Sequence, residues 1–137
     1  MLPVAGAASA LWIVVAALSG AVAVALGAFA AHGLDLSTAA GVKAREWLQT
    51  GSHYAMIHAL AMIGVVVLVR TGGLSGGGFA TAAQVLFAVG CVLFPGALYL
   101  MAFGAPRWLG AIAPIGGTAF ILGWLSLAVA AVMTAKQ

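Results

Sequence analysis

The stretch MLPVAGAASALWIVVAALSGAVAVALGAFAAHGL, from Met1 to Leu34, contains no Asp, Glu, Lys or Arg. A helix needs about 20 consecutive apolar residues to cross a hydrocarbon layer roughly 30 Å thick, and this run exceeds that length. Outward from it lie three further uncharged stretches, Trp47 to Val69, Thr71 to Pro106 and Trp108 to Ala135. Only 5% of the 137 residues are charged and 65% are hydrophobic. A soluble domain carries roughly a quarter charged residues, and a core of this size cannot hide so much apolar surface from water. The medium this chain fits is lipid.

Within lipid a segment must satisfy its own backbone, which selects helices for unbroken apolar runs. A membrane barrel would alternate polar and apolar residues, and no such alternation is present. The reading is an all-α integral membrane protein, a four-transmembrane-helix bundle forming one domain over residues 1–137. Its helices are expected near residues 11–31, 52–69, 79–103 and 109–133. No Lys or Arg precedes the first run, which is also longer than the apolar region of a secretory signal, so it reads as a retained span. The segment from Leu34 to Gly51 has two readings. Either Ser37 caps a short surface helix carrying Lys43, Arg45, Glu46 and Trp47, or the segment extends helix 2 into the headgroups. The glycines from Gly72 to Gly78 form a turn between helices 2 and 3, without the Lys and Ser/Thr of a phosphate-cradling loop.

Composition and motifs argue against several activities. Cys91 stands alone, so no dithiol chemistry is available. The sequence offers no buried carboxylate and no nucleophile paired with a base, and neither a cofactor nor a metal is expected. The net charge of +3 comes from scattered cations and makes no nucleic-acid stripe. These cations read as anchors among lipid headgroups. Their distribution between the two faces is too even to orient the chain by the positive-inside rule.

An up-and-down course gathers His32, Asp35, Lys43, Arg45, Glu46, His53, His58 and Arg107 toward one face, leaving Arg70 and Lys136 on the other. One reading is a polar rim that anchors the bundle, the other a vestibule opening to that face. Gly51, Tyr54 and His58 share a helical stripe expected to face protein, where His58 needs a hydrogen-bond partner. That partner is either another helix or a bound solute or proton. His53 and His58 project about 140° apart, a poor arrangement for shared metal ligation. Ala16, Gly20, Ala23, Gly27 and Ala31 give small-residue spacings for close packing or self-association, and Gly110, Gly116, Gly117 and Gly123 do the same in helix 4. Pro95 with Gly96 is expected to bend helix 3, while Pro114 sits near the start of helix 4, where proline is better tolerated.

Four ordered patterns carry a family resemblance: Gly27 to Gly33 (GAFAAHG), Trp47 to Gly51 (WLQTG) leading through Tyr54 to His58-Ala59-Leu60-Ala61, Leu93 to Tyr99 (LFPGALY), and Pro114 to Gly117 (PIGG) leading to Gly123-Trp124. Together they resemble the bacterial domain-of-unknown-function family number 423, the YgdD-like small inner-membrane proteins. The resemblance implies a four-helix, multi-pass protein of the bacterial inner membrane whose biochemical activity is not established. Carried over by position, it marks His32, Trp47, Thr50, Gly51, Tyr54, His58, Gly96, Tyr99, Pro114, Gly116, Gly117 and Trp124. The chain departs from the pattern at Ala30, Ala55, Pro95 and Ala97, which leaves helix 3 without hydroxyls that relatives carry.

The expectation is therefore a non-enzymatic accessory, scaffold or self-associating subunit. It would bind membrane lipids and dock on itself or on a larger membrane complex. The alternatives are a small-solute or proton-coupled transporter built on Tyr54 and His58, and a lipid- or quinone-binding protein with a pocket beneath Trp47, Tyr99 and Trp108.

Overall fold

The structure, a computed structural model, describes residues 4–137. Four long helices follow one another: α1 (Val4–His32), α2 (Ala39–Arg70), α3 (Gly78–Ala102) and α4 (Ala113–Thr134), with a short 3-10 turn (Arg107–Ala111) before α4. Each long helix, the last taken together with the 3-10 turn, is apolar and long enough to cross a bilayer. Short antiparallel connections order the packing: α1 lies along α2, α2 along α3 and α3 along α4, with a smaller contact between α1 and α3. Among the described residues α1 and α4 do not pack along each other, so α2 and α3 form the middle of the array and α1 and α4 its flanks.

Three boundaries differ from the sequence expectation, one of them at helix 4, where a 3-10 turn occupies Arg107–Ala111 and α4 starts at Ala113 rather than near residue 109. Helix 1 begins at Val4, seven residues before the expected start. Helix 2 begins at Ala39 rather than near Ser52, so Leu34 to Gly51 contains no separate surface helix. The cap is Thr38, not Ser37: the Thr38 hydroxyl accepts from the Gly41 amide at 3.0 Å and donates to the Asp35 carbonyl at 3.0 Å. Ser37 turns the other way, its amide and hydroxyl both donating to Asp35 Oδ1, at 3.0 and 2.6 Å. Between Ala39 and Ser52 only Lys43, Arg45 and Glu46 are charged and no proline intervenes, so helix propensity carries α2 straight through. Helix α3 runs as one continuous helix past Pro95.

Small residues set how closely the helices approach. On α1, Ala16, Ala23 and Ala30 are buried at heptad spacing, and the intervening Gly20 and Gly27 lie over Met56 and Ser52 of α2. Between α3 and α4 the pairing is reciprocal. The Phe120 ring lies over Gly90 and the Phe87 ring over Gly123, each filling the notch left by a glycine on the opposite helix, while Gly116 lets α4 approach the α3 backbone itself at Leu93 and Phe94. Without a solvent-driven hydrophobic term between helices in lipid, this kind of close van der Waals fit is what holds them together. Gly96, by contrast, has no neighbour within 4 Å of where a Cβ would stand.

Candidate functional site

His58 is 3% exposed and lies at the α2, α3 and α4 junction. Its Nε2 lies 3.1 Å from Trp124 Nε1, and indole N–H can only donate, so Nε2 accepts. Its Nδ1 lies 2.7 Å from the Tyr54 carbonyl, which can only accept, so Nδ1 carries the proton. These two partners define a neutral imidazole in a single tautomer, with both nitrogens occupied by the protein. The ring stacks on Phe120 at a centroid distance of 3.5 Å and packs against Phe87 at 5.4 Å. A protein partner from α4 thus fills the role that the sequence left open between helix and solute.

Tyr54 departs from the buried stripe expected for it. It is 41% exposed and meets His58 through its main-chain carbonyl, while its ring leans on Phe94 at 4.8 Å. A shallow groove of about 490 Å³ runs over Tyr54, His58, Phe94, Phe120 and Trp124 on this outer side. Gly51 is buried where expected, against the Tyr99 ring, at 2.8 Å from a Cβ placed there. Beside it Ser52, a residue the sequence reading did not single out, is hydrogen-bonded to the Tyr99 hydroxyl at 3.2 Å and ties α2 to α3.

The other sequence-marked residues do not converge on one chamber. His32, Thr50 and His53 are exposed, and His53 touches Tyr54 edge-on at 5.9 Å. Glu46 pairs with Lys43 at 2.8 Å, and the Lys43 ammonium also stands 5.8 Å from the centre of the Trp47 ring. No three His, Cys, Asp or Glu residues come together among the described residues. Cys91, on α3, is a free, half-buried thiol. The carboxyl of Asp35, outside the spans, is held below its ordinary value by the Ser37 hydroxyl and then by the Ser37 amide.

Two further features stand out. At the end where α2 starts and α3 finishes, a cleft of about 890 Å³ is bounded by Lys43, Trp47, Met101, Pro106 and Arg107. Tyr99 instead borders a separate apolar groove with Leu93, Gly96 and Leu109, and Trp108 is exposed, so the single pocket expected beneath Trp47, Tyr99 and Trp108 is divided. The second is Gln84 on α3, 3% exposed, whose amide donates to the Met62 carbonyl of α2 at 3.0 Å. Sequence reading missed it, although a lone amide inside the uncharged run Thr71 to Pro106 was a signal in plain view.

The family described as "Protein of unknown function (DUF423)" matches residues 26–117. The chain belongs to this family. Among its DUF423 relatives, a UPF0382 membrane protein of Haemophilus influenzae is 43% identical over 117 residues, covering 85% of this chain and 90% of that protein. The UPF0382 membrane protein YwdK of Bacillus subtilis is 43% identical over 124 residues, covering 88% and 95%. The UPF0382 inner membrane protein YgdD of Escherichia coli K12 is 37% identical over 125 residues, covering 91% and 92%. No solved structure matches. With four spanning helices and relatives named as inner membrane proteins, this DUF423 member is a multi-pass protein of the bacterial inner membrane. The matched region holds His58 and its Tyr54 carbonyl partner but stops short of Trp124, which the structure brings back to the same site.

Proposed function

We propose that this protein is a non-enzymatic membrane accessory that holds an anionic lipid headgroup at its charged boundary. The observation that carries this reading is the cleft of about 890 Å³ between the start of α2 and the end of α3, with Lys43 and Arg107 on its walls and the Trp47 indole beside them. Arg107 has no ion-pair partner among the described residues, whereas Lys43 is already matched by Glu46. Tryptophan and cations at a membrane boundary favour the headgroup layer, each cation adding about 1 kcal/mol toward an anionic surface. Asp35 and Glu46 are exposed, and no hydrogen bond among the described residues joins the half-buried Cys91 thiol to a base, which supports binding over bond-making chemistry. The occupancy of His58 by Trp124 and Tyr54 weighs against a proton path through that ring.

The test is lipid retention by the protein purified from mixed phosphatidylglycerol and phosphatidylcholine, read by native mass spectrometry. Phosphatidylglycerol should be enriched, and Arg107→Ala should lower its retention about fivefold, the equivalent of one cation near the surface. Equal retention of both lipids, or an unchanged profile in Arg107→Ala, sinks the reading.

A second reading, self-association, rests on a different observation. The inward small residues of α1 are spent on α2, but Ala17, Ala21 and Ala28 form an outward line with Val24 at i, i+4, i+7 and i+11, all exposed. Such a smooth flank lets a second helix approach closely in lipid. Single-molecule photobleaching in vesicles should count more than one copy per particle, falling to one in Ala21→Leu. Single copies of the unaltered protein at every density dismiss it.

A further inference from the structure

At the opposite end from the charged cleft, a pocket of about 250 Å³ opens between the start of α1, the end of α2 and the start of α3. Its walls include Trp12, Val65, Val66, Val69 and Ala80, and Gln84 lies among them. The orientation of the Gln84 amide follows from chemistry: the Met62 carbonyl can only accept, so the –NH₂ group faces it. The carbonyl oxygen, Oε1, therefore occupies the other position. It is buried and has no hydrogen-bond partner among the described residues. A buried acceptor without a donor carries the full cost of its lost hydration, and native structures seldom leave one unmatched.

We propose that this pocket binds an amphiphile through a hydroxyl or N–H group that donates to Gln84 Oε1, with an apolar body lying against Trp12 and the valines of α2. As an acceptor, Oε1 favours alcohols, phenols and hydroquinones over ethers and quinones, whose oxygens have no proton to offer it. A cavity of roughly 150 Å³ is known to take a benzene ring, so 250 Å³ accommodates a two-ring body or an alkyl segment of similar bulk. The pocket shares no residue with the lipid-headgroup cleft, and its test is independent of that reading.

The probes are 2-naphthol and 2-methylnaphthalene, alike in shape but differing in the donor, with binding to the full chain in phosphatidylcholine nanodiscs measured above partitioning into empty discs. The naphthol should bind about tenfold more tightly, the discrimination of one buried hydrogen bond. Gln84→Leu should abolish that preference while leaving methylnaphthalene binding in place. Ala8→Phe, at an exposed position on the rim, should weaken both probes and keeps the test available if Gln84→Leu does not fold. Equal affinity for the two probes, a naphthol preference that survives Gln84→Leu, or no binding of either above the empty discs overturns the proposal; the last outcome would assign Oε1 to water.

Discussion

The imidazole of His58 is bonded on both edges, and its two partners come from different helices: the Tyr54 carbonyl one turn back on α2 and the Trp124 indole on α4. Replacing Trp124 by Phe keeps the ring contacts and removes only the donor. Stability in detergent should fall by about 1 kcal/mol, in the range of interhelical hydrogen bonds in membranes. In a double-mutant cycle with His58→Leu, the loss should be largely absent when the acceptor is already gone. Additive losses would show that the bond contributes nothing. Asp35 supplies a pH dependence at the same scale. Its carboxyl is held below the ordinary value of 3.8, first by the Ser37 hydroxyl and then by the Ser37 amide. A depressed folded value means that this contribution is complete above the unfolded value and is lost as the pH falls through the lower, folded one. Exchange of the Ser37 amide proton should therefore stay protected from neutral pH down to the ordinary carboxylate value and rise only below it. Loss of protection well above that value contradicts the assignment.

At the scale of the helix, the glycines of α3 separate into two kinds. A methyl group at Gly90 meets the Phe120 ring, whereas one at Gly96 meets nothing within 4 Å. Gly90→Ala should destabilise the fold by about 1–3 kcal/mol through overpacking. Gly96→Ala should be neutral or stabilising by up to ~1 kcal/mol through helix propensity. Thermal unfolding of both variants in one detergent decides it, and equal effects would mean that the reciprocal Gly–Phe seam is not what sets the α3–α4 distance. Glycine spacing in the sequence already marked α1 and α4 as close-packing helices. What it did not reveal was the partner of each notch, because a glycine next to a Phe across the helix boundary leaves no trace in either helix alone. The same blindness explains Thr38 and Ser37. Both hydroxyls suit a cap, and only the fold of the Asp35 turn assigns one to the helix and the other to the carboxylate.

For the whole molecule, the count of spans and the grouping of polar residues followed directly from the scarcity of charge, since lipid leaves the backbone so few choices. The candidate site was legible in part. His58 announced itself as a histidine in an apolar run, yet its satisfaction by Trp124 depends on a contact 66 residues distant in the chain. Four spans place Ser37 and Arg107 at one face, and Thr71 and Gln137 at the other. In a Cys91→Ala background, single cysteines at Ser37 and Thr71 should react with a membrane-impermeant maleimide from opposite sides of sealed vesicles. Labelling of both from the same side refutes the topology.

Helix α2 has 32 residues, about 48 Å at ~1.5 Å each, against 25 for α3 and 22 for α4. Since the hydrocarbon layer is roughly 30 Å thick, the surplus must stand clear of it, and Lys43, Arg45 and Glu46 place that surplus at the Thr38 end. The molecule is thus lopsided across the bilayer: on one side the charged first turns of α2 stand with the end of α3 around the cleft, and on the other only a short glycine-rich turn joins α2 to α3.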